Sequence, residues 1–301
     1  MAASASDIPR TGFLARVLPP AWLPYARLMR ADRPIGTWLL LFPCWWGIAL
    51  AAPGLPSVWL FALFALGAFV MRGAGCTYND IVDRDFDGRV ARTADRPIPS
   101  GAVTTRQALV FLAAQLLAGF AILMSFDATT IALGVASLIL VFTYPLMKRV
   151  TWWPQFFLGL AFNWGALMGW TAVTGGLAAA PLLLYAGGIA WTLGYDTIYA
   201  HQDREDDALI GVKSSARRLG DRTRPALAAF YAIAAALFAA AGLQAGLGWA
   251  FYVALAAAAL QLSWQVRRID IDRPADCLTK FRSNRIVGWL LLAGIVAGHM
   301  T

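Results

Sequence analysis

Six stretches of the chain carry no Asp, Glu, Lys or Arg at all (34–71, 107–126, 128–147, 150–195, 225–266 and 286–299), and charged residues crowd into the segments between them. A helix of about 20 apolar residues crosses a bilayer, so the longest stretches hold two helices joined by a tight turn. Turn signals divide them at Pro53-Gly54-Leu55-Pro56, at Gly175-Gly176 ahead of Pro181, and between Gly242 and Gly248, while Asp127 separates 107–126 from 128–147. The pattern predicts about nine spans, near 36–52, 57–78, 107–126, 129–145, 153–173, 180–199, 226–243, 246–265 and 285–300. The expected fold is therefore an all-α, polytopic membrane protein of about nine transmembrane helices.

Composition agrees. Hydrophobic residues make up 59% of the 301 and charged ones 14%, with a mean hydropathy of +0.60, which excludes an ordinary soluble domain. Lys and Arg lie in the N-terminal arm, from Arg10 to Arg33, and in the loops after spans two, four, six and eight. The four hairpin turns have none, and Arg72, inside span two, stands apart. The positive-inside rule then places the N-terminus and the charged loops in the cytoplasm and Thr301 outside, so a multi-pass protein of the cell inner (plasma) membrane is expected. The net charge of +8 follows from that bias and is no sign of nucleic-acid binding. No cleaved signal peptide is evident, and Asp7 and Pro19-Pro20 speak against an organellar transit peptide. Cys44, Cys76 and Cys277 lack metal-ligand spacing and are read as reduced packing residues.

The chemistry concentrates in two acidic groups, each at the end of an uncharged run. The first is Asn79-Asp80-Ile81-Val82-Asp83-Arg84-Asp85-Phe86-Asp87; the second is Asp203-Arg204-Glu205-Asp206-Asp207, with Asp196 upstream. Their spacing points to two parallel pseudo-repeats, about 30–148 and 150–268, with a final helix at about 285–300, all within one membrane domain. At about 100° per residue, Asn79, Asp80, Asp83 and Asp87 share one helical face and Asp85 points away; Asp196, Asp203 and Asp207 likewise align, with Glu205 turned aside. Small residues such as Gly165 and Gly169, or Gly73 to Gly75, mark close helix contacts.

Clustered carboxylates repel, and at mid-bilayer each costs about 2.5–3.5 kcal/mol on insertion scales, so they need a cation or a water-filled mouth. Asp and Asn oxygens are hard ligands suited to Mg²⁺, which keeps several sites for water and phosphate. Tyr144 and Lys148 form an i,i+4 pair closing span four, with Arg149 adjacent, and Arg72 lies about three turns before Asp83 on much the same face. The simpler reading, in which these acids solvate helix ends and pair with Arg84, Arg89, Arg92, Arg96 and Arg204, loses ground because two groups in two half-chains sort their acids alike.

At these residues the chain resembles the UbiA family of intramembrane prenyltransferases over nearly its whole length. The family pattern N-D-x-x-D-x-x-x-D is met by Asn79, Asp80, Asp83 and Asp87, its D-x-x-x-D by Asp203 and Asp207, and its Y-x-x-x-K by Tyr144 and Lys148. Asp32-Arg33-Pro34-Ile35-Gly36, Arg92-Thr93-Ala94-Asp95-Arg96-Pro97 and Tyr195-Asp196-Thr197-Ile198-Tyr199-Ala200 resemble the branch acting on 4-hydroxybenzoate. The resemblance implies a helical bundle around a central cavity and Mg²⁺-dependent transfer of a polyprenyl group from its diphosphate to 4-hydroxybenzoate, in ubiquinone biosynthesis. Two Mg²⁺ ions are expected, one on Asn79, Asp83 and Asp87 and one on Asp203 and Asp207. Lys148, Tyr144 and Arg92 or Arg96 would face the diphosphate, Arg72 or Arg149 the benzoate carboxylate, and Asp80 and Asp196 would join the substrate-binding set. The alternatives are a family member with another acceptor (haem, menaquinone or homogentisate type), a secondary transporter, and a non-catalytic scaffold.

Overall fold

A computed structural model of the protein describes residues 13–88, 93–209 and 211–301. The described residues form helices and turns and include no strand. In chain order the helices are α1 (Phe13–Val17), α2 (Leu23–Leu28), α3 (Ile35–Ala51), α4 (Val58–Asp87), α5 (Thr105–Leu123), α6 (Ala128–Val150), α7 (Pro154–Asn163), α8 (Gly165–Thr174), α9 (Ala179–His201), α10 (Arg204–Leu209), α11 (Ser215–Leu219), α12 (Thr223–Gln244), α13 (Trp249–Arg268) and α14 (Pro274–Gly298). Among the described residues, six helical segments are long and apolar enough to cross a membrane: those over α4, α5, α6, α7 with α8, α12 and α13. Ile35–Ala51 is apolar but shorter.

Where these helices start and stop follows local chemistry. Thr104 and Gln107 form a reciprocal capping box at the start of α5. Asp127 caps α6, accepting from the N–H groups of Thr129 and Thr130 and from the Thr130 hydroxyl. The apolar stretch expected as one span at 153–173 is interrupted at Trp164, whose indole donates to the Leu133 carbonyl at 2.9 Å. The last helix starts at Pro274, well ahead of the expected 285. Its charged first turns are accommodated because Lys280 bonds Asp276 at 2.8 Å and lies 4.4 Å from the Trp264 ring centroid. Many large apolar side chains on the membrane-length helices are exposed, among them Leu109, Val110, Leu117, Phe120, Val135 and Ile139, as expected of helices that face lipid.

The chain divides into two compact units. One comprises the described residues up to Thr37 and those from Leu66 to Met124, and the other Trp38–Ala65 and the described residues from Ser125 to Thr301. In the first, Leu28, Ala74, Ile81, Val103, Ala108 and Leu112 pack together. Thr77 pins α4 to α5 by donating to Gln115 Oε1 at 3.0 Å, a bond sheltered from water by its complete burial.

In the second unit α9 packs against α7, α12 and α14. A buried polar chain stitches its neighbours: Trp191 donates to Asn284 Oδ1 at 2.8 Å, and Tyr231 and Asn284 both donate to Gln265 Oε1. In an apolar surrounding each such group must be paired, so the network selects one register of α9, α12, α13 and α14. The small residues expected at close contacts are found there. A Cβ on Gly169 would stand 2.2 Å from the Cys44 carbonyl oxygen, and one on Gly165 2.3 Å from the Cys44 sulfur.

Candidate active site

α4 runs unbroken through the first acidic group to Asp87, and the helical-face sorting expected there is visible in the burial. Asp80 and Asp83 are 1% and 2% exposed, whereas Asp85 lies at the surface beside Arg84. Asn79 is half-buried one turn before Asp83. The Asp87 side chain and the whole of Arg92 lie outside the described residues.

Asp80 is surrounded by arginine. Its Oδ1 accepts from Arg30 Nη2 at 2.9 Å and from Arg96 Nη1 at 3.3 Å, and Arg27, Arg33 and Asp95 line the same small pocket. At an effective dielectric near 20, an ion pair at about 4 Å gains about 4 kcal/mol. The carboxylate therefore offsets part of the repulsion between the arginines gathered around it. Arg27 and Arg30 escaped the sequence reading, which treated the N-terminal arm only as a carrier of positive charge; the dense spacing of Arg27, Arg30 and Arg33 was the available signal. Higher on α4, Arg72 packs its guanidinium against the backbone at Gly36, where a Cβ would come within 2.6 Å of Nε.

The second acidic group departs from expectation. α9 ends at His201, Gln202 and Asp203 turn, and α10 starts at Arg204. Asp196 and the Asp203–Asp207 pair therefore do not lie on one continuous helix, because the helix is interrupted between them. Asp203 and Asp207 remain one turn apart, joined by an Asp207 N–H bond to the Asp203 carbonyl at 2.8 Å. Both are half-buried, while Glu205 is exposed. His201 is buried and bonds Thr223 Oγ1 at 2.8 Å, which makes it part of the packing under the turn.

This acidic segment is fastened to the end of α6. The Lys213 N–H bonds the Lys148 carbonyl at 2.9 Å and its Nζ bonds the Val150 carbonyl at 3.1 Å. Arg217 donates to the carbonyls of Asp207 and Val212 and lies 5.4 Å from the Trp152 ring centroid. The segment bearing Asp203 and Asp207 is thus tied to the helix that carries Tyr144 and Lys148, both half-buried; Arg149 is exposed. Asp196, on α9, is half-buried.

Among the described residues no three His, Cys, Asp or Glu side chains gather into one metal-holding group. The donors that are described come in pairs one helical turn apart, Asn79 with Asp83 and Asp203 with Asp207. All are hard oxygen ligands, and such pairs fit a divalent cation that takes its remaining ligands from water and phosphate.

The family model for UbiA prenyltransferases matches residues 40–293. The chain belongs to the UbiA prenyltransferase family. A relative from Caenorhabditis elegans, named 4-hydroxybenzoate polyprenyltransferase, mitochondrial, is 51% identical over 98% of this chain and 84% of its own. The apo structure of a UbiA homolog from Aeropyrum pernix K1 matches with a TM-score of 0.74 at 29% identity, over 86% of this chain and 97% of that one. A UbiA homolog from Archaeoglobus fulgidus, solved bound to DMAPP and Mg²⁺, shares the fold with a TM-score of 0.71 at 20% identity, over 92% and 99%. The all-α UbiA fold expected from the sequence is therefore established.

The expected location is corrected. The relatives from nematode, plant, mouse and human are all named mitochondrial, which overturns the assignment to a cell inner membrane. The reason for the error is physical: Lys and Arg bias reports on which side of a membrane the loops lie and carries no information on which membrane that is.

Proposed function

We propose that this UbiA protein transfers a polyprenyl group from polyprenyl diphosphate to the ring carbon ortho to the hydroxyl of 4-hydroxybenzoate, as a step of ubiquinone biosynthesis in a mitochondrial membrane. The observation that carries the reading is an arginine-lined pocket around Asp80 on the same helix as Asn79 and Asp83, which supplies anion recognition and hard-oxygen donors side by side. The 51% identity with an enzyme of that name supports the choice of acceptor.

Asn79, Asp83, Asp87, Asp203 and Asp207 would hold divalent metal, proposed as two Mg²⁺ ions, and that metal, when bound, neutralises the diphosphate as a leaving group. The allylic C–O bond breaks as negative charge builds on the diphosphate oxygens, where Lys148, the Tyr144 hydroxyl, Arg92 and Arg96 stabilise it. The ring carbon then bonds the allylic carbon, and the ring proton at that carbon is lost. Arg72 is proposed for the benzoate carboxylate in preference to Arg149, because Arg72 sits half-buried within α4 and Arg149 is exposed at the end of α6. Asp196 is kept as a substrate-binding residue.

The test is incubation of the purified protein with Mg²⁺, geranyl diphosphate and 4-hydroxybenzoate. A C-prenylated benzoate with stoichiometric release of pyrophosphate is expected. Vesicle uptake of a solute without release of pyrophosphate would replace this reading with a transporter.

A further inference from the structure

The cations of α14 lie on two sides of the helix. Lys280 is buried, bonded to Asp276 at 2.8 Å and set over the Trp264 ring. Arg282 and Arg285 are exposed, and among the described residues neither side chain has a hydrogen bond or an ion pair. At about 100° per residue they share one strip of the helix with Ile286 and Trp289, which are 45% and 44% exposed. The strip lies on the side away from buried Asn284 and its bonds to neighbouring helices.

The depth of this strip is fixed. From Ile286 to its end at Gly298, α14 is uncharged and about 20 Å long, shorter than a hydrocarbon core of about 30 Å. Sliding α14 along its axis to carry the arginines outward is blocked. Asn284 accepts from Trp191 at 2.8 Å and donates to Gln265 Oε1 at 3.3 Å, and a Cβ on Gly288 would stand 2.2 Å from the Phe42 ring. Trp289 is wedged against Trp38, Phe42 and Trp45, with ring centroids at 5.4, 5.3 and 5.7 Å. The two guanidiniums are therefore held at the edge of the hydrocarbon, where an uncompensated arginine is costly. Extending toward the headgroups relieves part of that cost, and a phosphate met there relieves more.

We propose that Arg282 and Arg285 form a binding site for the phosphate of an anionic phospholipid, whose acyl chains lie over Ile286 and Trp289. Residues three apart on a helix have their β-carbons about 5–6 Å from each other, so both guanidiniums reach one phosphate and each gives it a two-pronged bond. A lipid without a headgroup amine is favoured, because the cation of a zwitterionic headgroup opposes the same attraction. The rigid tryptophan cluster beneath the arginines supplies an interfacial aromatic surface at the level where the chains begin. The site requires only that the chain cross a membrane and is independent of the prenyl-transfer reading.

The experiment follows thermal melting of the full-length purified protein in neutral detergent, titrated with phosphatidylglycerol, phosphatidylcholine or inorganic phosphate, beside native mass spectrometry for retained lipid. Wild type is expected to retain phosphatidylglycerol and to melt at a higher temperature with it, and to respond little to the other two. The double change Arg282→Gln and Arg285→Gln is expected to raise the half-saturating phosphatidylglycerol concentration on the order of tenfold. Arg267→Gln with Arg268→Gln removes the same charge from exposed positions at the end of α13 and should leave that concentration within about twofold. Equal losses from the two pairs would make the attraction a diffuse surface effect and overturn the site. An equal response to inorganic phosphate overturns the lipid assignment. So does a dimer, seen by light scattering, that the Arg282 and Arg285 changes abolish while phosphatidylglycerol binding is unaltered. If the double variant does not fold, Arg285→Gln is compared with Arg267→Gln on the same readouts: weaker lipid binding in the first alone supports the site, and equal binding in both overturns it.

Discussion

Gly36→Ala separates the site from the scaffold. A Cβ at Gly36 would stand 2.6 Å from Arg72 Nε, 2.8 Å from Nη2 and 3.1 Å from Cζ. Ordinary contact lies near 3.5 Å, so the guanidinium must retreat by about 0.9 Å. Because the obstructing atoms end a flexible side chain, the fold absorbs the change, and alanine improves helix propensity at this second residue of α3 by up to about 1 kcal/mol. Thermal stability should therefore be unchanged or slightly raised. The function should suffer: a retreat of that size breaks a two-pronged bond from Arg72 to a carboxylate. Hydrogen bonds to charged groups contribute about 1.5–3 kcal/mol, which is roughly a 10- to 100-fold rise in KM for 4-hydroxybenzoate. KM for geranyl diphosphate should stay within about twofold, since Asn79, Asp83 and the Asp80 ion pairs are untouched. The assay is product formation by chromatography at varied benzoate, beside a melting curve of the same preparation. A folded, stable Gly36→Ala protein with wild-type KM for the benzoate would show that Arg72 does not hold the carboxylate, and Arg149→Gln would become the next variant.

Three further outcomes are expected. Asp83→Asn should lower turnover by at least about 100-fold in a protein that still melts cooperatively, whereas Asp85→Asn, whose side chain is 72% exposed, should change it by less than about twofold; equal losses would undo the helical-face argument. Arg217→Ala should free the segment bearing Asp203 and Asp207 from Trp152 and raise the Mg²⁺ needed for half-activation by about fivefold, measured by titration; an unchanged requirement would mean that the fastening is idle. At Asp127, partial burial pushes the carboxyl up, but hydrogen bonds from the Thr130 side chain and from the Thr130 and Thr129 N–H groups outweigh it and hold the pKa below the usual carboxylate value. Its contribution is therefore complete above the unfolded value of 3.8 and is lost as pH falls through the lower folded value. Asp127→Ala should cost about 1 kcal/mol at pH 7, read from denaturation midpoints, with the difference from wild type vanishing in strong acid; a pH-independent difference would exclude the cap as its source.

The features legible along the chain are local and periodic. The absence of charge over membrane-length runs specified helices, because a backbone in lipid has to satisfy its own hydrogen bonds. The spacing of Asp80, Asp83 and Asp85 specified which acids turn inward, because about 3.6 residues complete one helical turn. Tertiary structure alone decided matters that depend on groups distant in the chain. The partners of Asp80 lie 50 and 16 residues away, and their arrival turns an apparent metal-face acid into an anchor for arginine. The turn after His201 breaks the helix between Asp196 and Asp203, something a periodicity argument passes over when it assumes one continuous helix. The first turns of α14, too charged to be read as part of a span, became helical once Lys280 found Asp276 and the face of Trp264. A charge seen in sequence has the same cost everywhere; only folding supplies the partner that determines whether that cost is offset.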